Sequence, residues 1–349
     1  MALQRPTASI APAGFGSGRP LGATTELVGG EAPGLPTAAV MSLTVELSVG
    51  SGHDRAEITV SDLSSLASTQ PGAELAIALG YSDENTDVMT AEIHRTESTP
   101  QGIVFVGYSP SRRLSATYVA RSYVRQTVAD VVSDLLSAAD VDAGDIEAGH
   151  ELPAYHLDGS RSAWEEIHVL ARRTGSQVRS TPDGALSFGP APGSSAGGPL
   201  GAAVSAVASV VGLGSGSALR TGAQVVDWRK GPRGATPELS REVAAVGAAS
   251  PFGPDRWHHL LKSPSSGSTP TVIDAALRTE AGAELATAAR TDAARRATTT
   301  GWFRIPGDAR LRAGDTVTVD DESYRILEAT HRVTESTGFL TDLVVEGAG

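Results

Sequence analysis

One strand pattern is written twice in this chain, once in each half. Gly72-Ala73-Glu74-Leu75 parallels Ala313-Gly314-Asp315-Thr316-Val317, in both places a turn that launches a strand. Downstream, His94-Arg95-Thr96-Glu97-Ser98-Thr99 is echoed, with one inserted residue, by His331-Arg332-Val333-Thr334-Glu335-Ser336-Thr337. A glycine then opens the next strand, Gly102 before Ile103-Val104-Phe105-Val106 and Gly338 before Phe339-Leu340. The repeated order argues for two copies of one small antiparallel β unit. Alternating runs agree: Ser42–Val49 puts Leu43, Val45, Leu47 and Val49 on one face, and 74–80, 102–107, 315–319 and 324–327 follow the same rule.

Between the copies the period changes. Thr127 reads as an N-cap with Asp130 three residues on, ahead of a stripe of Val128, Val131, Val132, Leu135, Leu136 and Ala139. A second helix starts at Ser162 with Glu165 completing a capping box, turns Trp164, Ile167 and Ala171 inward, and stops at Gly175. Residues 177–180 and 185–188 flank a Pro182-Asp183-Gly184 turn and predict a hairpin. An Ala-rich third helix is expected from Ile273 to Ala297.

Two segments read as loose. Met1 to Ala11 holds no apolar run, being interrupted by Arg5, Pro6 and then Pro12, and so carries no secretory signal pattern. Pro12 to Pro36 is Gly, Pro, Ala and Thr, too poor in large apolar side chains to offset ordering entropy. The whole of 1–41 is expected to be a flexible arm, with a chain start at Met41 as the rival reading. The second segment, Gly189 to Gly216, includes an apolar run at Ala202–Leu213 that is short of the roughly 20 residues a bilayer requires. Gly212, Gly214 and Gly216 lack the spacing of a dinucleotide fingerprint. A mobile loop is the expectation here, an interior plug or partner-docking segment the alternative.

Composition narrows the function classes. Lys+Arg 28 against Asp+Glu 40 gives a formal net charge of -12, which disfavours general nucleic-acid or anionic-membrane binding. With Cys 0 there is no disulfide scaffold, thiolate nucleophile or ordinary structural zinc site. Asp255, Trp257, His258 and His259 form the densest polar group, but adjacent histidines on a strand point to opposite faces. Asp83, Glu84 and Asp87 lack the glycine and terminal glutamate of an EF-hand and read as a hairpin tip. Glu165 and Glu166 point apart on their helix, so no carboxylate pair is offered there. Trp164 reads as a core anchor, and His94 and His331 as a ladder facing solvent or an interface. No H-E-x-x-H, G-x-S-x-G or Walker pattern occurs. The residues therefore nominate no catalytic, cofactor-binding or metal site and no cofactor.

Residues 72–190 resemble the late-control D and VgrG hub proteins of contractile phage tails and related injection systems. The resemblance rests on residues 71–81, with their Leu-Gly-Tyr turn, and on Arg121-Ser122-Tyr123 leading through Thr127 to Asp130-Val131-Val132. It continues through Leu152-Pro153-Ala154-Tyr155, Ser162-Ala163-Trp164-Glu165, Ala171-Arg172-Arg173-Thr174-Gly175 and the Pro182–Phe188 hairpin. It resumes at Leu311-Arg312-Ala313-Gly314-Asp315-Thr316-Val317, Tyr324–His331 and Gly338–Leu343. Single motifs are weak; their order is fairly specific.

The resemblance implies an α+β, mainly β chain: two tube-like antiparallel β-barrel domains with an inserted helix-hairpin domain. The expected division is 1–41 arm, 42–115 first tube-like domain, 116–188 helix-hairpin domain, 189–220 loop, and 221–349 second tube-like domain with the Ala-rich helix. It implies a non-enzymatic baseplate hub. A homotrimer would present six barrels to a hexameric inner tube and three-fold symmetry to a spike. Implied partners are the tube or tube-initiator protein, a separate spike and other baseplate components, with assembly in the cytoplasm, no specific nucleic acid and no membrane insertion. Such proteins of the VgrG type continue into an OB-fold and a β-helical needle, whereas this sequence ends at Gly349, so the spike is expected as a separate polypeptide or the sequence as truncated. Part of the acidic excess is expected to line the ring lumen. A tail-associated cell-wall hydrolase and a monomeric receptor- or carbohydrate-binding β module are the alternatives.

Overall fold

The computed structural model describes residues 6–12, 40–62, 64–81, 84–192, 217–232, 243–244, 272–273, 276 and 280–348. The first β unit comprises β1 (Pro6–Pro12), β2 (Val40–Ser48), β3 (Arg55–Val60), β4 (Glu74–Tyr81), β5 (Glu84–Thr99) and β6 (Gly102–Tyr108). An insertion follows, made of β7 (Tyr118–Thr127), α1 (Val128–Ala138), β8 (Ala143–Ile146), β9 (Glu151–Ser162), α2 (Ala163–Thr174), β10 (Ser176–Ser180) and β11 (Leu186–Pro190). The second unit opens with β12 (Ser217–Leu219) and β13 (Asp227–Pro232), then a short pair, β14 (Val243–Ala244) and β15 (Val272–Ile273). It is completed by α3 (Glu280–Arg296), β16 (Thr299–Pro306), β17 (Thr316–Val319), β18 (Glu322–Thr334) and β19 (Gly338–Gly347).

The chain is mainly β within the α+β class, as the sequence indicates. The strands of both units form one twelve-stranded sheet along the path β1-β4-β5-β6-β3-β2-β18-β19-β16-β13, with β12 joined through β17 to β18. Among the described residues no pairing closes either unit on itself, and the two units are joined edge to edge in one continuous sheet. The halves have the same spatial order: β1-β4-β5-β6-β3-β2 in the first matches β12-β17-β18-β19-β16-β13 in the second. One pairing differs in sense, β1 with β4 being antiparallel and β12 with β17 parallel.

Two pairs of backbone hydrogen bonds fix the residue correspondence. Gly72 N–H donates to Ile93 O (2.7 Å) and Ile93 N–H to Ala73 O (2.8 Å); Gly314 N–H donates to Ile326 O (2.8 Å) and Ile326 N–H to Asp315 O (2.8 Å). Both turn glycines are left-handed, Gly72 at φ 89 and Gly314 at φ 91, a conformation that disfavours any side chain. One residue later each long strand bulges, at His94 against β6 and at Leu327 against β19.

That register corrects the histidine ladder. His94 stands one place after its anchor Ile93, whereas His331 stands five places after Ile326, so the two are not structural equivalents. His94 is exposed and His331 fully buried. The letters repeat, but the β18–β19 hairpin is longer at its tip, and that length shifts the motif out of register.

A single apolar core runs through both β units, with Leu43, Val45, Ile58, Leu75, Ile93 and Phe105 meeting Phe303, Leu311, Val317, Tyr324, Ile326 and Leu343. The insertion has its own core, in which the α1 stripe packs with Trp164, Ile167, Leu170 and Phe188. Both capping boxes form, Thr127 with Asp130 and Ser162 with Glu165, and Gly175 ends α2 at φ 70.

Three boundaries move. Residues 6–12 of the expected arm form β1, because the Thr7–Ala11 run alternates and Ile10, fully buried, covers the open edge of β4. The expected 189–220 loop loses both ends, to β11 at Gly189 and Pro190 and to β12 at Ser217–Leu219; 193–216 lie outside the described residues. The third helix begins at Glu280, since β-branched Val272 and Ile273 pair with Val243 and Ala244 as strand.

Candidate assembly interface

The junction between the two units is an antiparallel ladder from Ser42↔Thr334 to Ser48↔Glu328. Val49 N–H extends it to the bulge, donating to Leu327 O (3.1 Å). Leu43, Val45 and Leu47 are buried beneath it. On the β18 side His331 sits between Thr341 Oγ1 (3.0 Å from Nδ1) and Leu311 O (3.1 Å from Nε2). A carbonyl only accepts, so Nε2 carries the proton and Nδ1 accepts from the threonine hydroxyl. Burial, reinforced by the Arg312 charge, lowers the His331 pKa to about 4, and the ring is neutral.

Arg312 ties three parts of the chain together. Its guanidinium donates to Val88 O on β5 (2.5 Å) and to Ser180 O on β10 (3.1 Å), while its own backbone leads into β17. It also faces Asp54, whose buried carboxyl accepts from Ser48 N–H (2.9 Å). Burial pushes Asp54 up to about 6, with Ser48 and Arg312 opposing. Asp315, likewise raised by burial, is held by Arg179 at 3.1 Å. Beside them Arg325 reaches Gln177 Oε1 (3.0 Å) and Glu346 (2.8 Å), a second link between insertion and sheet.

The insertion docks on the first unit through Trp164, as a core anchor should. Its indole N–H donates to Ser51 O (2.8 Å), and its ring lies between His53 (centroids 4.2 Å) and His168 (4.4 Å). Burial first, and arginine charge second, lower both histidines to about 4. His53 meets Ser111 Oγ (3.1 Å) and Ser115 Oγ (2.6 Å) through its two ring nitrogens. Both ring nitrogens are thus taken by serine hydroxyls, and among the described residues no carboxylate is hydrogen-bonded to the ring. Asp54 and Arg312 form the polar seam that sequence reasoning passed over, with His53 beside it at the Trp164 contact; the apolar runs on either side were its only signal.

The groups singled out in the sequence do not converge. Glu165 caps α2, while Glu166 is buried and accepts from the Tyr155 hydroxyl (3.0 Å). Glu84 and Asp87 lie along β5; Asp83 and the Asp255–His259 group fall outside the described residues. A cleft of ≈ 640 Å³ opens between the end of β4, the start of β5 and the 305–310 segment, lined by Tyr81, Glu84, Gln224, Asp308, Arg310 and Phe339.

Two of the strand edges left without a strand partner among the described residues bear on the duplicated order; the outer edges of β1 and β12 are open as well. One is the outer edge of β13, where Trp228 (46 %) and Val226 (65 %) are exposed. The other is the β4-side edge of β5 beyond Ile93, since β4 reaches only Glu92 while β6 covers the opposite edge.

No protein-family model matches the chain, and no curated protein matches it in sequence. Solved structures do. The 43 kDa tail protein of prophage MuSo2 from Shewanella oneidensis is similar over 98% of this chain and 98% of its own, at TM-score 0.65 and 11% identity. A tail protein from Neisseria meningitidis MC58 is similar over 98% and 96%, at TM-score 0.66 and 12% identity. The Escherichia coli c3393 protein, a type VI secretion component with structural similarity to the T4 tail proteins gp27 and gp5, is similar over 89% and 74%, at TM-score 0.54 and 10% identity. With its duplicated sheet and inserted helix–hairpin part, this chain has the fold of these phage tail and type VI secretion proteins.

Proposed function

We propose that the chain is a structural baseplate hub of a contractile tail or injection system, acting as a homotrimeric adaptor between a hexameric inner tube and a trimeric spike. The observation that carries this reading is the repeated strand order within one chain. Two near-equivalent units per polypeptide let three polypeptides present six similar faces in one direction and three-fold symmetry in the other. The division into an arm, two tube-like domains, a helix-hairpin domain and a loop belongs to the same proposal, as does assembly in the cytoplasm into a particle. The function is mechanical: the polar seam around Arg312 supports it by tying sheet and insertion into one load path. Partners are the inner tube or its initiator, a separate spike and neighbouring baseplate proteins, and part of the acidic excess faces the ring lumen.

Native mass measurement of the purified chain tests the proposal. A species of three chain masses that binds tube or spike protein is expected. A stable monomer with no affinity for either overturns the adaptor role, and cell-wall lytic activity overturns its non-enzymatic character.

A further inference from the structure

The intrachain junction is a template for the contact between chains. Leu43 lies opposite Ile58, Ile58 opposite Phe105, and Phe105 opposite Thr96, the third residue after anchor Ile93. In the second unit Trp228 lies opposite Phe303, Phe303 opposite Leu343, and Leu343 opposite Ala329, the third residue after anchor Ile326. Strand β13 is therefore the counterpart of β2, and the open edge of β5 is the counterpart of the edge of β18 that receives β2.

In the first unit β2 is covered: Leu43 and Val45 are both 0% exposed because β18 runs beside them. In the second unit the equivalent strand has no neighbour on that side among the described residues, and its Trp228 is exposed. Among the described residues the duplicated order leaves a donor edge on β13 and an acceptor edge on β5, complementary to each other but not to themselves. Contacts of that kind run head to tail, and they close a ring where the rotation between copies is a whole fraction of a turn.

We infer that β13 of one copy pairs antiparallel with the open edge of β5 in a second copy, in the register β2 uses on β18. Carrying Thr44↔Arg332, Val45↔His331 and Glu46↔Thr330 across gives Arg229 opposite Thr99, Lys230 opposite Ser98 and Gly231 opposite Glu97. Pro232 has no N–H, and Trp228 falls opposite Pro100, in the turn after β5, so the ladder runs over 229–231. Trp228 is brought against the β5–β6 turn at Pro100, and Arg229 comes diagonal to Glu97. The inference rests on the hub reading for the ring itself and adds which edges build it.

The absence of cysteine makes the test clean. Directly opposite residues of an antiparallel pair have Cα atoms about 4.5–5.5 Å apart, within disulfide range. Thr99→Cys and Arg229→Cys chains, mixed under mild oxidation, are expected to give a reducible covalent dimer that neither gives alone. The double variant is expected to give a covalently closed oligomer, and the exposed Tyr118→Cys should not couple to Arg229→Cys. An oligomer seen by native mass without the Thr99–Arg229 link above that control overturns this pairing and leaves the hub reading standing. A monomer at every concentration overturns both.

Discussion

Leu43 and Trp228 occupy equivalent positions in the two halves of the sheet, yet Leu43 is 0% exposed and Trp228 46% exposed. The difference is one neighbouring strand. For Leu43→Ala a loss of about 2–4 kcal/mol of stability is expected, as for a fully buried large-to-small change. Trp228→Ala should cost less than about 1 kcal/mol in the dissociated chain. Urea melts at a concentration where the chain is monomeric check both; equal losses would mean that Trp228 is already covered within one chain.

The two turn glycines provide a second check. Gly72→Ala and Gly314→Ala each place a side chain at positive φ, with an expected cost of about 1–2 kcal/mol. Gly314→Ala should be the worse, because its Cβ would meet Gln177 Oε1 at 3.0 Å and Val49 Cγ1 at 3.1 Å, whereas nothing lies within 4 Å at Gly72. Thermal melts of the two variants rank them.

Arg312 makes the polar seam tolerable. Arg312→Met leaves Asp54 and Asp315 buried without it and strips Val88 O and Ser180 O of a donor. A loss of about 3–5 kcal/mol is expected. Adding Asp54→Asn should recover part of it. If the double variant is no more stable than Arg312→Met, the two groups are not coupled.

Acid should unfold the chain in a defined window. His53, His168 and His331 are held to about 4, below the 6.5 of a free imidazole. As pH falls below 6.5 the unfolded chain therefore takes up these protons first, and stability is lost progressively down to about pH 4. Asp54, raised to about 6, acts the other way: the folded chain binds its proton first, offsetting part of that loss between about pH 6 and 4. Melting midpoints should fall from pH 6.5 to 4, and His331→Gln should flatten the slope. A midpoint that rises on acidification would contradict these assignments.

Much of the architecture could be read from letters. The alternation of Leu43, Val45 and Leu47 marks a half-buried strand, Thr127/Asp130 and Ser162/Glu165 mark helix starts, and Gly72 and Gly314 mark equivalent turns. These are local signals, decided within a few residues by sterics, capping and side-chain period. The histidine repeat was also local, and it misled, because hairpin length sets register and no short motif encodes length. Likewise, the short alternation in Thr7–Ala11 was too weak to mark a strand until β4 presented an edge for Ile10 to cover.

The sequence by itself therefore determined the element types, the caps and the fact of duplication. Only the tertiary structure decided that the two halves share one sheet and one core, that Asp54 and Arg312 face each other in a polar seam, and that β13 and β5 keep open edges among the described residues. Those outcomes depend on contacts between residues far apart in the chain. Burial there shifts the titrating groups, and the presence or absence of a single neighbouring strand decides whether equivalent residues such as Leu43 and Trp228 end in the core or at a surface.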